Sequence, residues 1–230
     1  MPWRHDGRIA LLAPVPDGPP PGPATVRHAL ALARRQGYAE AVTAALSAME
    51  QRGFAAAGFG VRERLNLLSH DLRALTDPDP AERVRLRRSG RTDRPAVLQL
   101  DAEAFDGFWQ LDGGGLDDAV TATPNTRFRV AVHRDRPEQV VGYAVTGRSL
   151  RRGYVQRLAV HPSWRRCGVG AALVLDGLRW LRRHRATVAL VNTQEANLAA
   201  LALYERLGFD RRPEGLTVMG RPLDDLTVGP

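Results

Sequence analysis

Six consecutive residues, Arg165-Arg166-Cys167-Gly168-Val169-Gly170, stand between an apolar run, Val155 to Val160, and a stretch of helical apolar spacing, Ala171 to Arg183. That order predicts a strand, a glycine-bearing turn and a helix. The first amides of such a helix have no intrahelical acceptor, and the macrodipole makes them positive, so they can cradle an anion. Gly168 and Gly170 let a diphosphate come close to the backbone, and Arg165 and Arg166 add charge-assisted hydrogen bonds to its oxygens. The same six residues serve equally as a plain helix cap. Cys167 has no His in a motif relation to it, which argues against a covalent acyl-cysteine.

Downstream lie an apolar strand, Thr187 to Val191, and a helical stretch, Asn197 to Leu207, closed by a Gly208-Phe209 stop signal. Taken together, these residues resemble the GNAT superfamily of acetyl-CoA-dependent N-acetyltransferases. The family's R-x-x-G-x-G pattern is matched at Arg165, Gly168 and Gly170. Its N-x-x-A-x-x-L-Y-x-x-x-G-F signature is matched at Asn197, Ala200, Leu203, Tyr204, Gly208 and Phe209. The resemblance runs from Glu82 to Leu223 and is most specific after Tyr154.

The resemblance implies acetyl-CoA as co-substrate, with no metal, and acetyl transfer to a primary amine by direct attack in a ternary complex. The acceptor would be a small molecule or a peptide or protein N-terminus. Leu158, Ala159 and Val160 would pair with the pantetheine arm as an added strand does. Arg165, Arg166, Cys167, Gly168, Val169, Gly170 and Ala171 would hold the diphosphate. Asn197 would bond pantetheine amides, with helix capping as its competing role. Tyr204 would be the general acid, since a phenol of pKa about 10 can protonate a departing thiolate. Relatives often supply a glutamate base near the positions of Tyr154 and Asn192. Neither is a carboxylate here, and Glu103 and Glu195 are the nearest acidic alternatives. A non-catalytic acyl-CoA sensor is therefore the second reading.

Length and composition suit a single enzyme chain. The 230 residues hold one large domain or two small ones, and one cysteine excludes an internal disulfide framework. No apolar stretch spans a membrane and the first residues lack a secretory core, so the reading is soluble and cytoplasmic. Net charge is +8 and all 33 basic residues are Arg. They fall in scattered pairs without a basic tail or a nucleic-acid-binding signature, which argues against nucleic acid as partner.

Two proline-rich breaks, at 14–23 and 76–80, divide the chain into a first unit (1–75), a linker (76–81), a second unit (82–224) and a tail (225–230). The first unit reads as a degenerate copy of the back half of the second. Strand Arg8 to Ala13, helix Ala24 to Arg35, strand Ala41 to Leu46, a helix from Ser47 to Ala57 and strand Val61 to Leu68 repeat the order after Val155. Gly58-Phe59 falls opposite Gly208-Phe209 and Phe54 opposite Tyr204. Prolines replace the phosphate turn, and proline has no N–H to offer. Family dimers are common, and this half-unit would stand in for a partner or accompany a homodimer.

The second unit predicts strand Val84 to Arg88, helix Pro95 to Phe108, helix Leu116 to Ala122, then strands Thr126 to His133, Val140 to Thr146 and Tyr154 to Val160. Helix Gly168 to Arg183, strand Thr187 to Val191, helix Asn197 to Leu207 and strands Phe209 to Arg212 and Leu216 to Arg221 follow. The fold class is α/β (α+β): a GNAT fold with a mixed, mostly antiparallel sheet flanked by helices, preceded by a partial GNAT-like unit. Phe105, Phe108 and Trp109 would line an acceptor pocket or belong to the core.

Overall fold

A computed structural model of the chain describes residues 2–3, 6–15, 18–75 and 82–223. The expected linker, 76–81, and tail, 225–230, lie outside the described residues. In chain order the elements are β1 (Pro2–Trp3), β2 (Asp6–Leu12), α1 (Pro23–Arg35), β3 (Glu40–Thr43), α2 (Ala48–Ala56), β4 (Gly60–His70) and β5 (Val84–Arg88). Then come α3 (Arg94–Ala104), α4 (Gly113–Thr121), β6 (Asn125–His133), β7 (Val140–Ser149) and β8 (Arg152–Val160). The last are α5 (Val169–Arg183), β9 (Val188–Gln194), α6 (Leu198–Arg206), β10 (Asp210–Arg211) and β11 (Leu216–Pro222).

Two compact units divide these elements, and neither is continuous in sequence. One holds residues 1–67, 192–197 and 212–230; the other holds 68–191 and 198–211. The cause is strand insertion. In the first unit β11, from the end of the sequence, lies between β3 and β4 and pairs antiparallel with both. In the second unit β10 pairs with Leu68 and Ser69, the end of β4. A strand is placed by its ladder partners, so contiguity in sequence does not set the boundary.

In the first unit β2 and β3 run parallel, joined by α1, which starts on Pro23 and ends on Arg34 and Arg35, both suited to the helix termini. The ladder pairs Ile9–Leu12 with Glu40–Thr43, and the Ala44 amide extends it to the Leu12 carbonyl. Leu46, expected in β3, makes only an isolated bridge to Thr217. At the start of α2 the Ser47 amide donates to Glu50, the capping arrangement its spacing predicts. Val26, Leu30, Phe54, Phe59 and Met219 close the core.

The second unit is an antiparallel meander β5-β6-β7-β8 with β9 parallel to β8. Alternation along β6 and β7 sends Val130, Val132, Tyr143 and Val145 to one face, against Val97, Leu100 and Leu116 of α3 and α4. Ala131, Val141 and Ala144 face Val169 and Leu173 of α5 on the other. The sheet is mixed and mostly antiparallel with helices on both faces, as the sequence predicts. One element is shorter than expected: α3 stops at Ala104. Phe105 is extended and the Leu111 amide donates to Asp101, so residues 105–111 fold back over the helix end as a turn.

The two units share a local design. Gly58 and Gly208 both end a helix at φ +85, where only glycine sits without strain. Behind each, the aromatic pair closes similarly: Phe54 and Phe59 are 5.3 Å apart, Tyr204 and Phe209 5.4 Å.

Candidate active site

The expected phosphate turn is a helix start whose first amides bond to no acceptor among the described residues. Gly168 is the N-cap of α5 in the left-handed region, φ +75, and no side chain caps the helix. The first backbone bond returning to the cap is Ala172 to the Gly168 carbonyl. Arg166 also adopts positive φ, and Arg165, Arg166 and Cys167 are exposed. The Cys167 thiol lies 3.5 Å from the Arg165 carbonyl. A 3-10 turn, Pro162–Trp164, leads into the site, and His161 reads as the turn residue its Pro162 neighbour implies: its Nδ1 accepts from the Ser163 amide at 3.2 Å.

Upstream, Leu158, Ala159 and Val160 pair on one edge of β8 with Ala144, Tyr143 and Gly142. On the other edge the ladder with β9 covers only Arg152–Tyr154 against Val188–Leu190. Beyond Tyr154 that edge of β8 carries no ladder to β9, and it leads directly to the α5 turn. The corresponding edge in the first unit is closed through Leu12. An extended amide-bearing chain can therefore add to β8 but not to β2.

Tyr204 lies on α6, 4% exposed, with its ring against Phe209. Its hydroxyl hydrogen-bonds to no described residue, and burial holds the phenol well above its ordinary pKa of 10. A proton is thus available there across the physiological range. Asn197 immediately precedes α6, half-buried, its amide donating to the Gln194 carbonyl at 3.0 Å. It falls in the other compact unit. Of the acidic alternatives, Glu195 is exposed. Glu103 is engaged: His161 Nε2 lies 2.9 Å from one oxygen and Gln99 Nε2 donates to the other at 3.2 Å. With Nδ1 already accepting, the His161 proton sits on Nε2 and points at Glu103.

Sequence reading missed a charged cluster under the 105–111 turn. Asp101, 0% exposed, accepts from Arg157 Nε at 2.8 Å and Nη2 at 2.7 Å, from the Leu111 amide at 2.8 Å and from the Tyr143 hydroxyl. Arg157 Nη2 also donates to the Trp109 carbonyl at 2.7 Å, and its guanidinium lies 3.5 Å from the Phe105 ring centre. Burial and the Asp101 carboxylate push the Tyr143 phenol far up. Two signals were present: an aspartate on the apolar face of α3, four residues after Val97, and an arginine inside the apolar run Val155 to Val160. A charge in an apolar run is rarely buried unless it is paired. Phe105 is accordingly a wall of this cluster, while Phe108 and Trp109 stack edge to face at 5.1 Å in the turn it holds.

The helix opened by Gly168, the strand β8 whose ladder to β9 stops at Tyr154 and the buried Tyr204 on the next helix stand where the matched motifs place them. The chain belongs to the Acetyltransferase (GNAT) family, whose model matches residues 94–209. It is similar to the mycothiol acetyltransferase of Thermobispora bispora, 36% identical over 171 residues covering 68% of this chain and 57% of that protein. The mycothiol acetyltransferase of Geodermatophilus obscurus is 32% identical over 65% of this chain and 54% of its own length. The chain thus spans little more than half the length of these curated relatives. Among solved structures, a tandem GNAT protein from the clavulanic acid biosynthesis pathway shares the fold over 90% of this chain and 70% of its own, with TM-score 0.65 and 16% identity. A GCN5-related N-acetyltransferase from Sphaerobacter thermophilus covers 87% of this chain and 67% of its own, with TM-score 0.58 and 17% identity. No helix among the described residues is long and apolar enough to cross a membrane.

Proposed function

We propose that this chain moves the acetyl group of acetyl-CoA to a primary amine by direct attack in a ternary complex. The observation that carries the reading is the uncapped start of α5 at the end of a β8 edge whose ladder to β9 stops at Tyr154. The amides of Gly168 to Ala171 and the guanidiniums of Arg165 and Arg166 hold the diphosphate. Leu158 to Val160 pair with the pantetheine arm and give one amide to the thioester carbonyl, stabilising the oxyanion as it forms. Tyr204 delivers its proton to the departing thiolate of coenzyme A. The attacking amine is drawn in its neutral form and loses its second proton to water, because the β-strand positions Tyr154 and Asn192 bring no carboxylate.

The first unit is a half-copy of the same fold without cofactor chemistry. Prolines occupy its phosphate turn, and its β2 edge is closed against β3. Thiol release from acetyl-CoA across a panel of amines and peptide N-termini tests the transfer. Because the relatives carry the name mycothiol acetyltransferase, mycothiol and its deacetylated form belong in that panel. Turnover above the hydrolytic background with at least one amine supports the proposal. Tight acetyl-CoA binding with no turnover on any amine favours the sensor reading, to which the absent carboxylate at Tyr154 and Asn192 lends its weight.

A further inference from the structure

A second basic site lies on the far half of α5, away from the phosphate turn. Arg127 and Arg129 stand two apart on β6 and share a face. Asp176 of α5 receives both guanidiniums, Arg127 at 2.6 and 2.9 Å and Arg129 at 3.1 and 3.3 Å. Burial alone would raise the Asp176 carboxyl, but the two guanidiniums overcome it and hold the group below its usual range. One carboxylate therefore balances two cations. Arg88 is the cross-strand partner of Arg129 and pairs with no carboxylate among the described residues. The corner carries a net charge of +2.

These three arginines, with Thr126, Phe128 and Trp180, line a cleft of about 270 Å³. Arg127 and Arg129 are each under a quarter exposed, so their charge is only partly screened. A guanidinium has five N–H donors, and Asp176 takes two from each, which leaves three per arginine for a ligand. Trp180 follows Asp176 by one helical turn and adds an aromatic wall. Twelve residues of helix, about 18 Å, separate Trp180 from Gly168, so the cleft is distinct from the cofactor turn.

We propose that this cleft binds a phosphomonoester carrying a flat or apolar body: the dianion bridges Arg88, Arg127 and Arg129 while the body rests on Trp180. Two negative charges match the +2 of the corner, and the aromatic wall selects an organic phosphate over inorganic phosphate.

Phenyl phosphate, inorganic phosphate and benzoate are the probes, titrated calorimetrically at low salt into the full chain. Phenyl phosphate is expected to bind at least 10-fold tighter than either of the others. Arg88→Gln and Arg129→Gln should each weaken it at least 10-fold, Trp180→Phe should narrow the gap between phenyl and inorganic phosphate, and Gly168→Asp should leave it unchanged. Arg88 is exposed and does not touch Asp176, so its variant keeps the fold and the test stands even if Arg129→Gln unfolds. Equal affinity in wild type and Arg88→Gln overturns the proposal. So does loss of binding in Gly168→Asp alone, which returns the phosphate to the cofactor turn. Benzoate binding as well as phenyl phosphate overturns the assignment of a dianion.

Discussion

Asp101 of α3 and Arg157 of β8 meet edge to edge in the interior, with N–O distances of 2.7 and 2.8 Å, and together they fasten the turn 105–111 to the strand that carries Leu158 to Val160. The pair has four further partners: the Leu111 amide, the Tyr143 hydroxyl, the Trp109 carbonyl and the Phe105 ring. Two charges taken out of water are tolerable only when paired and hydrogen-bonded, and here Asp101 accepts four hydrogen bonds while Arg157 donates three. The turn is thereby fixed beside β8.

Removing one charge strands the other. Asp101→Ala should cost about 3–5 kcal/mol of stability, measured by chemical denaturation, because the guanidinium remains buried without a counter-charge. Tyr143→Phe removes one hydrogen bond to a charged acceptor and should cost about 1.5–3 kcal/mol. The double variant Asp101→Leu/Arg157→Met should recover most of the loss, since an apolar pair leaves no orphan charge. It should not recover the acceptor KM, because the anchors on Leu111 and Trp109 are gone. A double variant as unstable as Asp101→Ala would contradict this account.

Tyr204→Phe separates chemistry from packing. The hydroxyl hydrogen-bonds to no described residue, so the melting temperature should hold within a degree or two. Turnover should fall by about 10²–10⁴-fold, the usual contribution of a positioned acid, while the acetyl-CoA Kd stays constant. Because burial raises this phenol, the acid remains protonated to high pH and its loss should not limit the rate below pH 10. Equal loss of affinity and turnover would assign Tyr204 to binding instead.

The first unit offers a steric test. A Cβ on Gly53 would lie 1.9 Å from the Pro21 carbonyl oxygen, so α2 sits directly on the proline turn. Gly53→Ala should destabilise by about 1–3 kcal/mol through forced backbone displacement. Gly22→Ala, with nothing within 4 Å of the added atom, is the control and should cost far less. Matching costs would show that α2 does not pack on the turn as described.

Acid should loosen the second unit through His70. This imidazole is buried against Phe209, accepts the Leu72 amide on Nδ1 at 2.8 Å, and is held below its ordinary pKa of 6.5 chiefly by burial. The folded state favours the neutral ring. Its contribution is therefore complete above pH 6.5 and is lost progressively as pH falls below that value, where the unfolded chain takes up the proton first. Denaturation midpoints measured from pH 7.5 to 5 should fall in wild type and fall less in His70→Gln. Parallel slopes would remove His70 from the account.

Much of this was legible in the sequence. The elements, their order and the Gly168 turn follow from apolar period and glycine placement, which are local properties. Gly208-Phe209 behind Tyr204 likewise reads directly from its spacing. Strand insertion did not: β11 pairs with β3 and β4, about 150 to 180 residues upstream, and no local pattern specifies a partner at that range. α3 ends earlier than its apolar period implies: Phe105 and Phe108 continue that period, whereas the chain is turned aside at Phe105 and the Leu111 amide bonds to Asp101. The Asp101–Arg157 and Asp176–Arg127–Arg129 clusters are tertiary, visible in sequence only as charges standing inside apolar runs.

The account rests on the unclaimed amides at the start of α5. Titrating coenzyme A into ¹⁵N-labelled protein reads them one by one. The resonances of Gly168, Val169, Gly170 and Ala171 should shift more than any others in α5, and a Gly170→Asp variant should abolish the shifts. Binding that leaves these four amides unmoved, or no binding at millimolar coenzyme A, would contradict it.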